Sequence, residues 1–125
     1  MQTKTRKIVN TIATVIPASL VILSGIMKFN PPAEMLAEFQ RMGIAQHMPM
    51  FGIMEFLFAA LFIIPQTRRV GFVLLSCYFA GAIATDLSHG KPVYNAMLPI
   101  SLVWIGMFIA DKAIFLPLRR NTAVA

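Results

Sequence analysis

The sequence predicts an all-α polytopic membrane protein, a bundle of four transmembrane helices with a short amphipathic interfacial helix after the first span. Hydrophobic residues make up 58% of the chain and charged residues only 13%, so the chain lacks the charged surface of a soluble domain. The apolar residues form four long blocks. The links between these blocks are polar and contain proline or glycine, which are typical of turns.

Each block is long enough to be considered as a membrane span. A helix rises about 1.5 Å per residue, so about 20 apolar residues cross a hydrocarbon core about 30 Å thick. The blocks cover approximately residues 8–29, 47–64, 70–87 and 93–116, and residues 1–125 form a single membrane domain. The first block follows a basic start, as a signal peptide does. It is longer than the apolar region of a signal peptide and lacks a small-residue cleavage site, so we interpret it as an uncleaved span.

A short interfacial helix is expected over residues 32–42, between the first two spans. Its two faces consist of Met35, Leu36, Phe39 and Met42 on the apolar side and of Glu34, Glu38 and Arg41 on the polar side. Such a helix lies along a membrane surface. Gly43 is the expected C-terminal stop. The alternative is an ordinary connecting loop.

The basic residues predict the orientation of the chain. Four spans place both termini and the turn between the second and third spans on one side of the membrane. That side holds Lys4, Arg6, Lys7, Arg68, Arg69, Lys112, Arg119 and Arg120, and the other side holds Lys28, Arg41 and Lys91. Both termini are therefore expected in the cytoplasm. The basic residues form no face with interleaved aromatic residues, so the expected partner is the lipid bilayer and not nucleic acid.

The third block carries two neighbouring rows of small residues. The rows are Ser76, Ala80 and Ala84, and Cys77, Gly81 and Thr85. Small residues let helices approach closely in membranes, so we expect Ser76, Ala80, Gly81 and Ala84 to mediate helix packing. This block is expected to be the most protein-enclosed of the four. The alternative is a chance pattern in an alanine-rich segment.

Several charged residues fall inside or at the ends of the spans. An ionised side chain in a span costs about 2.5–3.5 kcal/mol on insertion scales, so such residues usually have a partner or a role. The topology gathers Lys28, Glu55, Asp86 and His89 at the outer end of the bundle. The wall below them would be lined by Ser24, Tyr78 and Thr85. In a structural interpretation, Lys28 pairs with the two carboxylates and fixes helix register. In a functional one, the cluster lines a polar pocket.

No catalytic set is identified, and whether the chain is an enzyme stays open. The carboxylates and His47 and His89 have no metal-ligand spacing, so no metal site is predicted. The chain contains one cysteine, Cys77, and therefore no CxxC motif. It has no Ser/His/Asp arrangement, phosphate loop or dinucleotide motif.

An ordered set of short motifs resembles the DoxX-like family of small bacterial membrane proteins. The matching segments are SGIMKF (24–29), Phe39–Gly43 followed by GIME (52–55), IPQTRRVG (64–71) and GAIATDL (81–87). They resemble the family's "SGxxK", "F…G…GxxE", "IPxTRxxG" and "GAxATHL". Asp86 stands where a histidine is common, which puts in doubt any role that needs a histidine there.

The resemblance implies a four-helix protein of the bacterial inner membrane. The family name comes from an association with quinone-linked sulfur oxidation, and relatives have been tied to redox complexes or to membrane-protein assembly. Three hypotheses follow. The cluster binds a small molecule, a quinone or a lipid head group; the chain is an accessory or assembly subunit of a membrane complex or a homo-oligomer; or it is the membrane subunit of a quinone-linked oxidoreductase. No cofactor is evident, and quinone is the candidate.

Overall fold

The computed structural model describes residues 2–116, and over that range the chain is helical with no strand. The α-helices are α1 (Gln2–Phe29), α2 (Ala33–Arg41), α3 (Met48–Ile63), α4 (Arg68–Ser88) and α5 (Tyr94–Ala110). Short 3-10 turns cover Ala45–His47, Pro65–Thr67 and Lys112–Ile114. Arg119 and Arg120, which contribute to the predicted orientation, lie outside the described residues.

The four long helices form an antiparallel bundle. Helix α1 packs against α3 and α5, and α4 packs against the same two helices. Gly25, near the end of α1, faces Gly52, near the start of α3. We call this end of the bundle, where α1 and α4 finish, the Lys28 end. The opposite end, where α4 starts and α5 finishes, is the Arg69 end.

The helix lengths agree with a membrane bundle. Three helical stretches, 3–29, 45–63 and 65–88, are long and apolar enough to cross a bilayer, and α5 is a shorter apolar helix of 17 residues. The predicted fourth span runs to residue 116, whereas α5 ends at Ala110. The helix stops there because Asp111 leaves the helical conformation, with φ −154° and ψ 74°.

The bundle core combines large apolar side chains with two close helix contacts. Phe62, Leu75 and Val103 are fully buried. A Cβ at Gly106 would collide with the carbonyl oxygen of Ala13 in α1, and a Cβ at Gly71 would collide with the α3 backbone. Close packing of this kind holds helices together in lipid, where the hydrophobic effect does not act between them.

The small-residue rows of α4 do not face the core of the single chain. Ala80, Gly81 and Ala84 are exposed, and only 22% of the apolar window in this stretch is buried, against 33% in the other two long stretches. The expectation that this helix is the most enclosed is therefore wrong within one chain. The inward face instead consists of Gly71, Phe72, Leu75 and Phe79. Large side chains fill most of the inward face of α4, while Ala80, Gly81 and Ala84 face outward.

Helix α2 lies at the Lys28 end, where Oε2 of Glu38 is 3.4 Å from the Lys91 ammonium. Gly43 follows it with φ +76°, and the amide of Ile44 donates to the carbonyl of Phe39, which closes the helix in a Schellman-type turn. The Phe39 ring packs 6.4 Å from that of Phe51 at the start of α3. The helix and its glycine stop are confirmed.

Candidate functional site

The candidate site forms where α1 and α3 approach most closely at the Lys28 end. A Cβ at Gly52 would lie 3.0 Å from the carbonyl oxygen of Gly25, so the two backbones are nearly in contact. Ser24 and Lys28 are four residues apart and share one face of α1. Glu55 lies three residues after Gly52 and faces them from α3. Helical spacing thus brings all three polar side chains to one contact between the helices.

Ser24, Lys28 and Glu55 form a closed network, which we call the Lys28 cluster. The Ser24 hydroxyl donates to Oε1 of Glu55 at 2.9 Å, and the Lys28 ammonium donates to Oγ of Ser24 at 2.9 Å. The Lys28 ammonium also lies 2.9 Å from Oε2 of Glu55. The hydroxyl therefore orients one carboxylate oxygen while the ammonium balances the charge of the other.

The ion pair of the cluster is buried almost completely, while Ser24 is half-buried. Glu55 is 0% exposed and Lys28 is 8% exposed. Oε2 of Glu55 is ion-paired to Lys28, but within the described residues no donor makes an aligned hydrogen bond to it. Removing two charges from water costs several kcal/mol per ion, roughly offset by their attraction when the geometry is good. The pair is therefore a weak source of stability and retains one incompletely satisfied oxygen.

Aromatic rings flank the α1–α3 contact that holds the cluster. The Phe29 ring stacks on Phe56 with centroids 5.6 Å apart, beside the α1–α3 contact. Tyr78 of α4 packs against Phe51 and Phe58 of α3 at 6.3 and 6.4 Å. Phe51 and Phe58 lie four residues before and three residues after Glu55, so the two rings share its face of α3. Of the expected wall residues, Ser24 is thus in the cluster and Tyr78 beside it.

Asp86 belongs to a second set of charges at the same end. Its Oδ1 lies 3.9 Å from the Lys91 ammonium, which also lies 3.4 Å from Oε2 of Glu38 in α2. Arg41 donates to the same Glu38 oxygen at 2.8 Å. This hydrogen bond, with the nearby positive charge of Lys91, holds the pKa of Glu38 below its usual value. We call Glu38, Asp86 and Lys91 the α2 latch.

Thr85 and His89 are occupied by local contacts. The Thr85 hydroxyl donates to the Gly81 carbonyl one turn earlier, at 2.8 Å. Nδ1 of His89 lies 2.9 Å from the Thr85 carbonyl and 3.1 Å from the Ser88 hydroxyl. These contacts finish α4 and do not join the Lys28 cluster. In the sequence-based prediction, Lys91 serves only as a marker of membrane orientation. Its place in the short link after Asp86 is the signal that could have identified its contact with that carboxylate.

The Arg69 end carries structural contacts that explain the "IPQTRR" motif. The Thr67 hydroxyl donates to the carbonyl of Leu61 at 2.8 Å, and the Arg68 guanidinium donates to those of Phe62 and Ile63 at 3.1 Å each. These carbonyls end α3 and have no partner within that helix. The motif therefore caps α3 and turns the chain into α4.

The family comparison agrees with this architecture. The model of the DoxX-like family matches residues 12–109, well over half of the 125-residue chain. No curated protein and no solved structure matches it. The match takes in α2 to α4 and most of α1 and α5, with the Lys28 cluster and the α3 cap inside it. The chain therefore belongs to the DoxX-like family and is an integral membrane protein with a helical bundle.

Proposed function

We propose that the Lys28 cluster binds the polar head of a small membrane-soluble molecule, such as a quinone or a lipid head group. The protein spans the bacterial inner membrane four times, with both termini in the cytoplasm and the Lys28 end outside. The observation that carries the proposal is the fully buried Glu55 carboxylate, ion-paired to Lys28 at 2.9 Å.

The energetics favour a role beyond stability. Replacing a buried ion pair by well-packed apolar residues is often neutral or stabilising. A bundle of apolar helices therefore does not need Lys28 and Glu55 merely to hold together. An intramembrane ionisable residue is a functional-site hypothesis by default.

The chemistry of the cluster suits a ligand with carbonyl or hydroxyl groups. The Lys28 ammonium has three donors and the Ser24 hydroxyl one, while Glu55 accepts. A quinone carbonyl would accept from Lys28, and a quinol hydroxyl would donate to Glu55. Lys28 is the more exposed partner of the pair, so a ligand reaches Glu55 by displacing the Lys28 side chain. The aromatic rings of Phe51 and Tyr78 supply flat apolar contacts nearby.

Equilibrium binding of a short-chain quinone analogue to the purified protein tests the proposal. We expect saturable binding that weakens at least about tenfold in Lys28→Met and Ser24→Ala, because each loses a hydrogen bond to the ligand or its partner. Arg41→Gln is the matched control, since Arg41 lies at the same end but outside the cluster. Absence of saturable binding, or equal affinity in all variants, refutes the quinone assignment. Native mass spectrometry of the same samples reports a retained lipid.

The exposed small-residue face of α4 favours a second function, that of an accessory subunit. Ala80, Gly81 and Ala84 are exposed, and nothing lies within 4 Å of a Cβ placed at Gly81. Small residues on a lipid-facing surface allow another membrane helix to approach closely. The partner would be a subunit of a membrane complex or a second copy of this chain.

Cys77 makes this second function directly testable, because it is the single cysteine and lies exposed on the same face. A thiol crosslinker applied to native membranes should join Cys77 to a defined partner, and Cys77→Ser should abolish the product. Purification in mild detergent should recover the same partner in fixed stoichiometry. If the chain purifies alone and forms no crosslinked product, the accessory-subunit role is refuted and ligand binding at the Lys28 cluster is favoured.

A further inference from the structure

A groove on the outside of the bundle lies near the Arg69 end, away from the Lys28 cluster. It has a volume of about 380 Å³ and an almost wholly apolar lining. Its walls are Trp104, Ile105, Phe108, Ile109 and Phe115. Such a surface faces acyl chains in a membrane protein, and its concave shape distinguishes it from the rest of a helix face.

The groove follows the axis of α5. Trp104 and Phe108 are four residues apart, as are Ile105 and Ile109, so the lining extends along the helix by about 6 Å. Phe115 follows the turn after α5 and packs back with its ring 5.2 Å from Trp104 and 5.8 Å from Phe108. The groove thus runs in the direction in which lipid acyl chains lie.

The indole of Trp104 is 47% exposed and is anchored to α4. Its N–H donates to the Ser76 hydroxyl at 3.1 Å, and its ring packs 5.2 Å from Phe72. Interfacial tryptophans usually direct the N–H toward the head groups. Because Ser76 of the same chain accepts from this donor, the exposed part of the ring offers apolar contact.

A positively charged side chain, that of Lys112, lies where the groove meets the Arg69 end. The Lys112 ammonium lies 5.5 Å from the centre of the Phe108 ring, and Lys112 is exposed. The carboxylate next to it in sequence, Asp111, is engaged by Arg69 through two hydrogen bonds of 2.7 and 3.1 Å. The positive charge of Lys112 is thus available to an external anion.

We propose that this groove is a binding site for an anionic phospholipid, with one acyl chain in the groove and the phosphate at Lys112. The charge and the apolar track are complementary to the two parts of such a lipid. The purely apolar lining does not suit a quinone head group, which needs hydrogen-bond donors. The site is separate from the Lys28 cluster and does not depend on the function proposed for it.

The single tryptophan of the chain, Trp104, reports directly on the groove. The full chain is placed in phosphatidylcholine vesicles with increasing fractions of either brominated phosphatidylglycerol or brominated phosphatidylcholine, whose bromines quench tryptophan fluorescence. We expect the anionic lipid to reach half-maximal quenching at a mole fraction about fivefold lower, the effect of one lysine at an anionic surface. High salt should reduce this preference.

Three variants test whether Lys112 is the source of the preference for the anionic lipid. Lys112→Gln should abolish it, while Lys112→Arg and Lys91→Gln, the latter at the opposite end, should retain it. Equal quenching by both lipids in the wild type overturns the proposal, as does a preference that survives in Lys112→Gln. Protection of Trp104 from both lipids also overturns it, because the groove would then be covered by protein.

Discussion

The Lys91 ammonium lies 3.4 Å from Oε2 of Glu38, and this ion pair joins the α4–α5 link to α2. Lys91 also lies 3.9 Å from Asp86, so one side chain connects three elements at the Lys28 end. Lys91 is only 18% exposed, so solvent screens its attraction to the two carboxylates less than it would at a fully exposed site. The remaining contact of α2 with the bundle described above is the Phe39–Phe51 packing.

Lys91→Met should therefore loosen α2 without unfolding the bundle. We expect faster hydrogen exchange of the α2 amides and unchanged exchange in α3 and α4. Helix α2 has few contacts with the bundle, so it can open locally while the bundle stays folded. The measurement is hydrogen exchange with mass spectrometry in detergent. Arg41→Gln is the control, because it removes only a pair within α2. Equal protection of α2 in Lys91→Met and the wild type would show that the aromatic contact alone holds it.

The Lys28–Glu55 pair should show strong coupling in a double-mutant cycle. Lys28→Met leaves a buried carboxylate without its counter-ion and should destabilise the bundle by about 3 kcal/mol or more. Lys28→Met combined with Glu55→Met should recover most of that loss, because the apolar pair has no charge to desolvate. The measurement is reversible unfolding in mixed micelles. A double variant as unstable as the single one would mean that the ion pair itself fixes the α1–α3 register.

Most of the fold could be predicted from the lengths of the apolar blocks and from the residues that end the helices. Apolar blocks of bilayer length determine the helices, and Gly43 ends α2 because a left-handed residue is needed there. The enclosed face of α4 was not predictable in this way. Small residues such as Ala80 and Gly81 show that a face permits close approach, but not that a neighbour from the same chain occupies it. The size of Phe72 and Leu75 on the opposite face was the better indicator.

For the site, the sequence predicts only which end of the bundle each charged residue occupies. Chain direction predicts that Lys28, Glu55 and Asp86 share one bundle end. In the structure Lys28 pairs with Glu55, and Asp86 lies 3.9 Å from Lys91 instead. Topology does not give the rotation of each helix about its axis. That rotation turns Glu55 into the α1–α3 contact, while the carboxylate of Asp86 pairs with Lys91. The close approach of Gly25 and Gly52 sets the first arrangement.

Acidic pH should weaken the contact between α4 and α5 at the Arg69 end. Hydrogen bonding from Arg69 holds the pKa of Asp111 below its usual value. The folded-state pKa is thus lower than the unfolded one, so the pair stabilises the fold above the unfolded pKa and loses this effect as pH falls through the folded one. Because Arg69 is 60% exposed, solvent screening keeps this contribution small.

Unfolding of the wild type and Asp111→Asn between pH 7 and pH 3 measures this effect. The stability difference should be largest at neutral pH. It should shrink as pH falls below about 4, the unfolded pKa, and on through the lower folded-state pKa of Asp111. High salt should reduce it at neutral pH. A difference that stays constant across the pH range would assign it to helix termination at Asp111 and not to the ion pair.

Two glycines provide a matched test of helix packing. Gly106→Ala places a methyl group against the carbonyl oxygen of Ala13, a backbone atom that cannot rotate away. The helices α1 and α5 must separate, which should cost about 1–3 kcal/mol, as overpacking does. Gly81→Ala meets nothing within 4 Å in the single chain, so the purified protein should keep its stability or gain up to about 1 kcal/mol from helix propensity.

The same pair distinguishes a lone chain from a subunit. In detergent, reversible unfolding should rank Gly106→Ala below the wild type and Gly81→Ala at or above it. In native membranes, a partner helix packed on α4 would meet the added methyl group of Gly81→Ala, and the crosslinked product at Cys77 would decrease. If Gly81→Ala lowers stability in detergent as much as Gly106→Ala, then α4 packs through its small-residue face within the chain, and the exposed face described above is wrong.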